Sequence, residues 1–155
     1  MTLSELGYYV FPVVMVDLFL KENGLPTGAE MHQAPLNKLR EVFGADAVLY
    51  ITVEKYGSKY MVITSDTFVN ARAKLVDCQT GIVLWENRVA VQLGNNSGND
   101  AVGMLVGALV NQIVNKVTDQ AHVAAYQASA ILLTNPTSGL LKGPRHPEYS
   151  KQGSQ

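Results

Sequence analysis

The chain has 155 residues, of which 47% are apolar and 16% charged, with a formal net charge of −1. That length holds one ordinary domain with a sizeable core. Its 12 basic and 13 acidic residues are dispersed, so no Lys/Arg stripe tracks a phosphate backbone or an anionic lipid surface, which sets nucleic-acid binding and electrostatic membrane docking aside.

The charged fraction lies below the usual one residue in roughly four. It fits a surface partly covered by a protein partner, and equally a polar uncharged surface rich in Asn, Gln, Ser and Thr. Cys78 is the only cysteine, which excludes an internal disulfide and a Cys-rich zinc site. The first ten residues lack the basic and apolar regions of a signal peptide. The longest uncharged apolar stretch, Ala101 to Asn115, is too short to span a bilayer. A soluble chain is expected.

In chain order, Thr2 to Gly7 reads as the end of a helix stopped by Gly7. Tyr8 to Val13 is aromatic and β-branched and predicts a strand, with Pro12 at its end or on an edge. Val14 to Glu22 predicts a short helix finishing at Asn23-Gly24, followed by a loop with Pro26 and Gly28. Ala34 to Gly44 predicts a second helix with Pro35 in its first turn. Leu36, Leu39, Val42 and Phe43 form its buried stripe, and Gly44 ends it.

A β meander follows. Ala47 to Glu54 alternates as a strand, and Gly57-Ser58 predicts a hairpin turn that begins with glycine. The return strand runs from Tyr60 to Val76 with a bend or bulge at Ser65-Asp66-Thr67. Val69, Ala71, Ala73 and Leu75 form one face of it. Asp77 to Gly81 predicts a turn in which the Asp77 carboxylate bonds following amides and Gly81 takes a positive φ. Ile82 to Leu93 returns as a strand, and Gly94 to Asn99 is a loop. Asp100 caps a long apolar helix over Ala101 to about Leu133. The expected domain organisation is a single α/β domain over residues 1–134, with a Pro/Gly-rich extended or disordered tail over 135–155. The fold class is α/β of the α+β type: a layered sandwich with helices packed on a mainly antiparallel sheet.

Catalytic chemistry leaves little trace. His32, His122 and His146 are far apart and flank no glutamate or cysteine at metal-ligand spacing, so surface histidines are the better reading. No GxSxG elbow, phosphate loop or dinucleotide turn is present. Cys78 sits beside Asp77, whose charge raises the thiol pKa and makes a poor nucleophile. No catalytic, cofactor-binding or metal residue is therefore assigned. Gly103-Met104-Leu105-Val106-Gly107 is a GxxxG that permits close helix approach, either to the chain's own sheet or to a second copy. Tyr56 and Tyr60 flank the expected hairpin tip, where exposed tyrosines anchor interfaces. Together with Tyr8 on the strand, the candidate interface is Tyr8, Tyr56, Tyr60, Gly103 and Gly107.

The segments Leu6-Gly7-Tyr8-Tyr9-Val10-Phe11-Pro12-Val13, Val16-Asp17 and Lys21 to Leu25 resemble a lipoprotein family of Gram-negative bacteria. So do Pro35-Leu36 through Phe43 to Ala47, and Ala73 to Asp77 through Thr80-Gly81 to Leu84-Trp85. The Leu-Val-Asp, Thr-Gly, Leu-Trp hairpin and the whole layout are also similar to the curli-secretion lipoprotein CsgG and to the amino-terminal domain of TolB. The resemblance implies an envelope protein on the periplasmic side of the outer membrane, anchored by a lipid on an N-terminal cysteine. It carries over no catalytic residue and implies a part in envelope assemblies, including secretion or transport, with protein partners and self-association.

Family members carry a signal peptide, a lipidated cysteine and a first strand ahead of the Gly7 helix. This chain starts inside that region, and Cys78 lies mid-domain. Either it is a trimmed piece or the lipoprotein assignment fails. If trimmed, an open sheet edge beside Tyr8 to Val13 invites pairing. The expected function is a non-enzymatic, homo-oligomeric protein-binding module without a cofactor. The rivals are a periplasmic small-molecule or peptidoglycan-fragment binder with a groove between sheet and long helix, and an enzyme using His122 in a cleft.

Overall fold

The computed structural model describes residues 3–60, 65–93 and 120–154. Their elements are α1 (Val13–Glu22), α2 (Gly28–Met31), α3 (Leu36–Phe43), β1 (Ala47–Tyr60), β2 (Ser65–Asp77), β3 (Val83–Leu93), α4 (Gln120–Thr134) and a 3₁₀ turn (Tyr149–Ser154). The strands form one antiparallel sheet in the order β1-β2-β3, and with the helices make an α+β fold. The chain divides into two compact units. One comprises Ile51–Ala73 and Asn87–Leu140; the other comprises Thr2–Tyr50, Lys74–Glu86 and Leu141–Gln155.

In the second unit, the stops predicted at Gly24 and Gly44 hold, while residues 3–7, expected as the end of a helix, form a hydrogen-bonded turn that Gly7 closes. Gly7 (φ +86°) donates to the Ser4 carbonyl at 3.0 Å while Tyr8 N donates to Leu3 O at 3.2 Å. This pair of bonds is the Schellman closure of a helical turn. Gly24 (φ +83°) repeats it after α1, with Gly24 N to Lys21 O at 3.1 Å and Leu25 N to Leu20 O at 3.0 Å. The closure brings Leu25 back onto the cluster of Leu20, Ala34 and Leu39, which Val16, Phe19, Met31, Phe43 and Val48 complete.

Five expectations in this unit are corrected. Tyr8 to Val13 is not a strand: residues 8–12 are irregular and Val13 already begins α1. β propensity reports fit to a pleated surface beside a partner, and this segment packs through its rings instead, Tyr9 on Phe11 with centroids 5.3 Å apart. The Pro26–Gly28 loop runs into α2, whose start is a capping box joining Thr27 and Glu30; the Thr-x-x-Glu spacing carries that signal. Val42 is exposed rather than part of the buried stripe, and Pro35 is the N-cap of α3 rather than in its first turn.

The fifth correction concerns the tail. Gly143 N donates to Leu6 O at 2.7 Å and Arg145 N to Gly7 O at 3.0 Å, so residues 141–146 are strapped to the N-terminal turn. The fit demands two glycines. A Cβ on Gly7 would stand 2.3 Å from His146 N, and one on Gly143 would stand 2.6 Å from Gly7 O.

In the first unit, β1 runs straight through the expected Gly57-Ser58 turn. That turn needs a positive φ at its glycine, which Gly57 does not take. A Cβ at Gly57 would stand 3.7 Å from the Phe68 ring, an ordinary contact, so this strand position does not require glycine. Ser65 to Thr67 is the start of β2 rather than a bulge. Of the predicted face, Val69, Ala71 and Ala73 are buried, with Val89 and Val91 of β3 and Val123, Ala124, Ala128, Leu132 and Leu133 of α4, whereas Leu75 is only half-buried. Asn87 Nδ2 donates to Leu132 O at 2.9 Å, satisfying a carbonyl in the last turn of α4, where intrahelical partners run out. Past α4, Gly139 N reaches Asn135 O at 2.7 Å and Leu140 N reaches Leu133 O at 2.8 Å, so this stretch is folded too. The expectations for residues 94–119, namely the loop, the Asp100 cap and the GxxxG helix, lie outside the described residues.

Candidate functional site

The candidate site is the outer face of α1 in the second unit. Apart from Asp17, Lys21 and Glu22, every residue of this helix is apolar. A helix apolar on all sides belongs in an interior, yet only one side of α1 is covered. Val16, Phe19 and Leu20 pack inward, where the Phe19 and Phe43 rings meet edge to face at 5.0 Å. On the other side Val13, Val14, Met15 and Leu18 are 76%, 69%, 64% and 53% exposed. Tyr9 and Val10, just ahead of the helix, are exposed as well. Single exposed apolar residues are ordinary, but a contiguous run marks a contact surface.

The charged groups around this face are few. Lys21 Nζ bonds Asp17 Oδ2 at 2.8 Å, one turn apart. The Arg145 guanidinium lies over the Tyr9 ring at 4.9 Å. In the strap, Lys142 pairs with Glu148, which holds that carboxyl below the ordinary glutamate range through its hydrogen bond from Lys142 and the nearby positive charge. His146 Nδ1 accepts from Glu148 N at 3.1 Å.

Among the sequence-based candidates, Tyr8 is half-buried and its hydroxyl donates to Leu141 O at 2.8 Å. Burial first, then the neighbouring Tyr149, push its pKa up. Tyr8 is thus engaged in the strap. Tyr56 is exposed, but it and Tyr60 lie within β1 rather than beside a tip at Gly57-Ser58. Gly103 and Gly107 lie outside the described residues. Tyr8 belongs to one unit and Tyr56 to the other. The reading from sequence missed Val13, Val14, Met15 and Leu18; the all-round apolar character of α1 was the available signal.

Cys78 is buried. Burial raises the thiol pKa most, the Asp77 carboxylate adds to it, and Arg40 opposes both. That environment disfavours the thiolate a nucleophile needs. Nearby, Tyr50 meets His32 edge to face at 5.2 Å and carries Lys74 Nζ over its ring at 5.1 Å. Among the described residues, no three His, Cys, Asp or Glu side chains gather as metal ligands, and no helix is long and apolar enough to cross a membrane.

The profile of the GNA1162-like putative lipoprotein family matches residues 1–145. The chain belongs to that family. It is 45% identical over 148 residues to "Putative lipoprotein NMB1124/NMB1162" of Neisseria meningitidis serogroup B, covering 94% of this chain and 69% of the relative. The crystal structure of lipoprotein GNA1162 from Neisseria meningitidis is similar at a TM-score of 0.59 with 47% identity, over 74% of this chain and 80% of that one. Membership accounts for the resemblance of Tyr8 to Val13 and of the Asp77 hairpin, and assigns the chain to lipoproteins, which are membrane-anchored envelope proteins.

Proposed function

We propose that this chain is the protein-binding part of an envelope lipoprotein and acts by assembly rather than by catalysis. The observation that carries the reading is the bare apolar face of α1. Water contact with Val13, Val14, Met15 and Leu18 is unfavourable by about 25 cal/mol for each Å², and a protein partner that covers them recovers this. Low overall charge and the raised Cys78 pKa point the same way. The site of action is the periplasmic side of the outer membrane, where a lipid anchor outside this sequence holds the full-length protein. A place in secretion or transport machinery rests on the resemblance to TolB and CsgG read from the sequence alone, and self-association on the resemblance to the lipoprotein family.

Met15 supplies the test. It is exposed in the isolated chain, so peroxide or hydroxyl radicals convert it readily to the sulfoxide. In the full-length lipoprotein within intact envelopes, a docked α1 face slows that oxidation by at least roughly tenfold relative to the purified chain. Equal rates in the two settings refute the docking face.

A further inference from the structure

The register of β1 and β2 gathers polar groups at one place in the second unit. Cys78 N donates to Asp46 O at 2.8 Å just beyond the strand ends. In an antiparallel ladder that bond sets Tyr50 opposite Lys74, with both side chains on one face. The Lys74 ammonium accordingly stands over the Tyr50 ring, 5.1 Å from its centre. His32 reaches the same ring from another element. It is the C-cap of α2, whose start the Thr27–Glu30 capping box fixes, and its imidazole meets Tyr50 edge to face at 5.2 Å. An ammonium and an imidazole thus flank one half-buried phenol.

Among the described residues, no carboxylate answers these groups. Lys21, Lys38 and Lys142 each pair with an acidic side chain, whereas the Lys74 ammonium meets only the Tyr50 ring. A ring face occupies one side of an ammonium and leaves N–H donors over. The Tyr50 hydroxyl and the His32 imidazole likewise make no hydrogen bond among the described residues. Burial above all, then Cys78, raises the Tyr50 pKa, so at neutral pH the hydroxyl keeps its proton and can donate it.

We propose that Lys74, Tyr50 and His32 form a binding site for the carboxylate of an organic ligand. Lys74 supplies the charge, the Tyr50 hydroxyl donates to a carboxylate oxygen, and the His32 imidazole, which carries an N–H in either tautomer, bounds the site. A carboxylate fits better than phosphate, because one fixed positive charge balances one negative charge and a dianion would keep a charge unmatched beside a half-buried ring. Strand register and a capped helix hold the donors in place before any ligand arrives. The site shares no residue with the α1 face and stands independently of the docking reading.

Titration of the purified chain with sodium acetate, followed through backbone amide resonances at ionic strength held constant with sodium chloride, tests the proposal. Saturable shifts centred on His32, Tyr50 and Lys74 are expected, with a Kd of about 10 mM. Lys74→Met keeps the stem over the ring and weakens binding at least roughly tenfold, and Tyr50→Phe weakens it about three- to tenfold. Lys55→Met, which removes an exposed lysine from the other unit, leaves it unchanged. N-acetylglycylglycine separates two sources of the group: binding about tenfold tighter than acetate assigns the site to the carboxyl end of a peptide, and equal binding assigns it to a small organic acid. Shifts that grow without saturating, that arise equally around Lys55, or that persist in Lys74→Met show counterion attraction alone and overturn the proposal. Inorganic phosphate binding more tightly than acetate at equal ionic strength overturns the choice of carboxylate.

Discussion

Helices α1 and α4 break the inside–outside rule in opposite directions. α1 holds Val13, Val14, Met15 and Leu18 out in solvent, whereas α4 buries Gln127 to 6% exposure among Val123, Ala124, Ala128 and Leu132. Among the described residues, neither Gln127 Nε2 nor Oε1 has a hydrogen-bond partner. Both arrangements cost free energy, but they differ in kind. An exposed apolar face costs the isolated chain and is relieved by docking, while a buried bare amide is a liability internal to one unit. The contrast separates a surface with an interaction to make from a core position that is simply suboptimal.

The comparison can be broken first within α1 itself. Leu20→Ala, on the inner side, is expected to cost about 2–4 kcal/mol in urea or thermal unfolding, while Leu18→Ala, on the outer side, stays within about 0.5 kcal/mol. Similar costs at the two positions would mean that the outer side is covered within the chain. Next, Gly143→Ala forces a methyl group against the Gly7 carbonyl and is expected to cost about 1–3 kcal/mol. Hydrogen exchange at Tyr8, Val10 and Phe11 accelerates with it, which shows whether the strap supports the approach to α1.

On the α4 side, Gln127→Leu is expected to stabilise by about 1–2 kcal/mol, because it removes an unpaired buried amide and keeps the volume close. A loss of stability there would show that the amide is needed. The smallest effect is a pH dependence. Hydrogen bonds from Thr80 above all, then Gln79, lower the Asp77 pKa below the ordinary value. The unfolded chain therefore takes up the proton first. The stabilisation is full above the ordinary carboxyl value of about 3.9 and is lost as pH falls through the lower folded value. Urea midpoints between roughly pH 5 and 2 should fall less steeply in Asp77→Asn than in the parent chain.

Local chemistry was legible in the sequence and remote chemistry was not. The turn at Asp77 was readable because all its parts lie close together in the chain: Asp77 Oδ1 accepts from Gln79 N, Thr80 N and Thr80 Oγ1, and Gly81 turns the chain at φ +72°. The stops at Gly24 and Gly44 were readable for the same reason. Gly57 misled because glycine marks a turn only where the backbone takes a positive φ, and here it lies within the extended β1. Gly143 likewise looked like loop punctuation, because its partner Gly7 is distant in the chain. Tyr8 to Val13 has the composition of a strand, but hydrogen bonding to a neighbour makes the strand, and composition does not show it. Of the candidate site, the apolar character of α1 was visible throughout; which side remained bare depended on where α3 and Leu25 come to rest.

The strap at Gly143 also fixes how a pull on the molecule is shared. Tension on the chain ahead of Leu6 meets the bonds from Gly143 to Leu6 and from Arg145 to Gly7 before it reaches α1. The C-terminal segment thus bears part of any load applied there, and the core beneath α1 is shielded until those bonds give way.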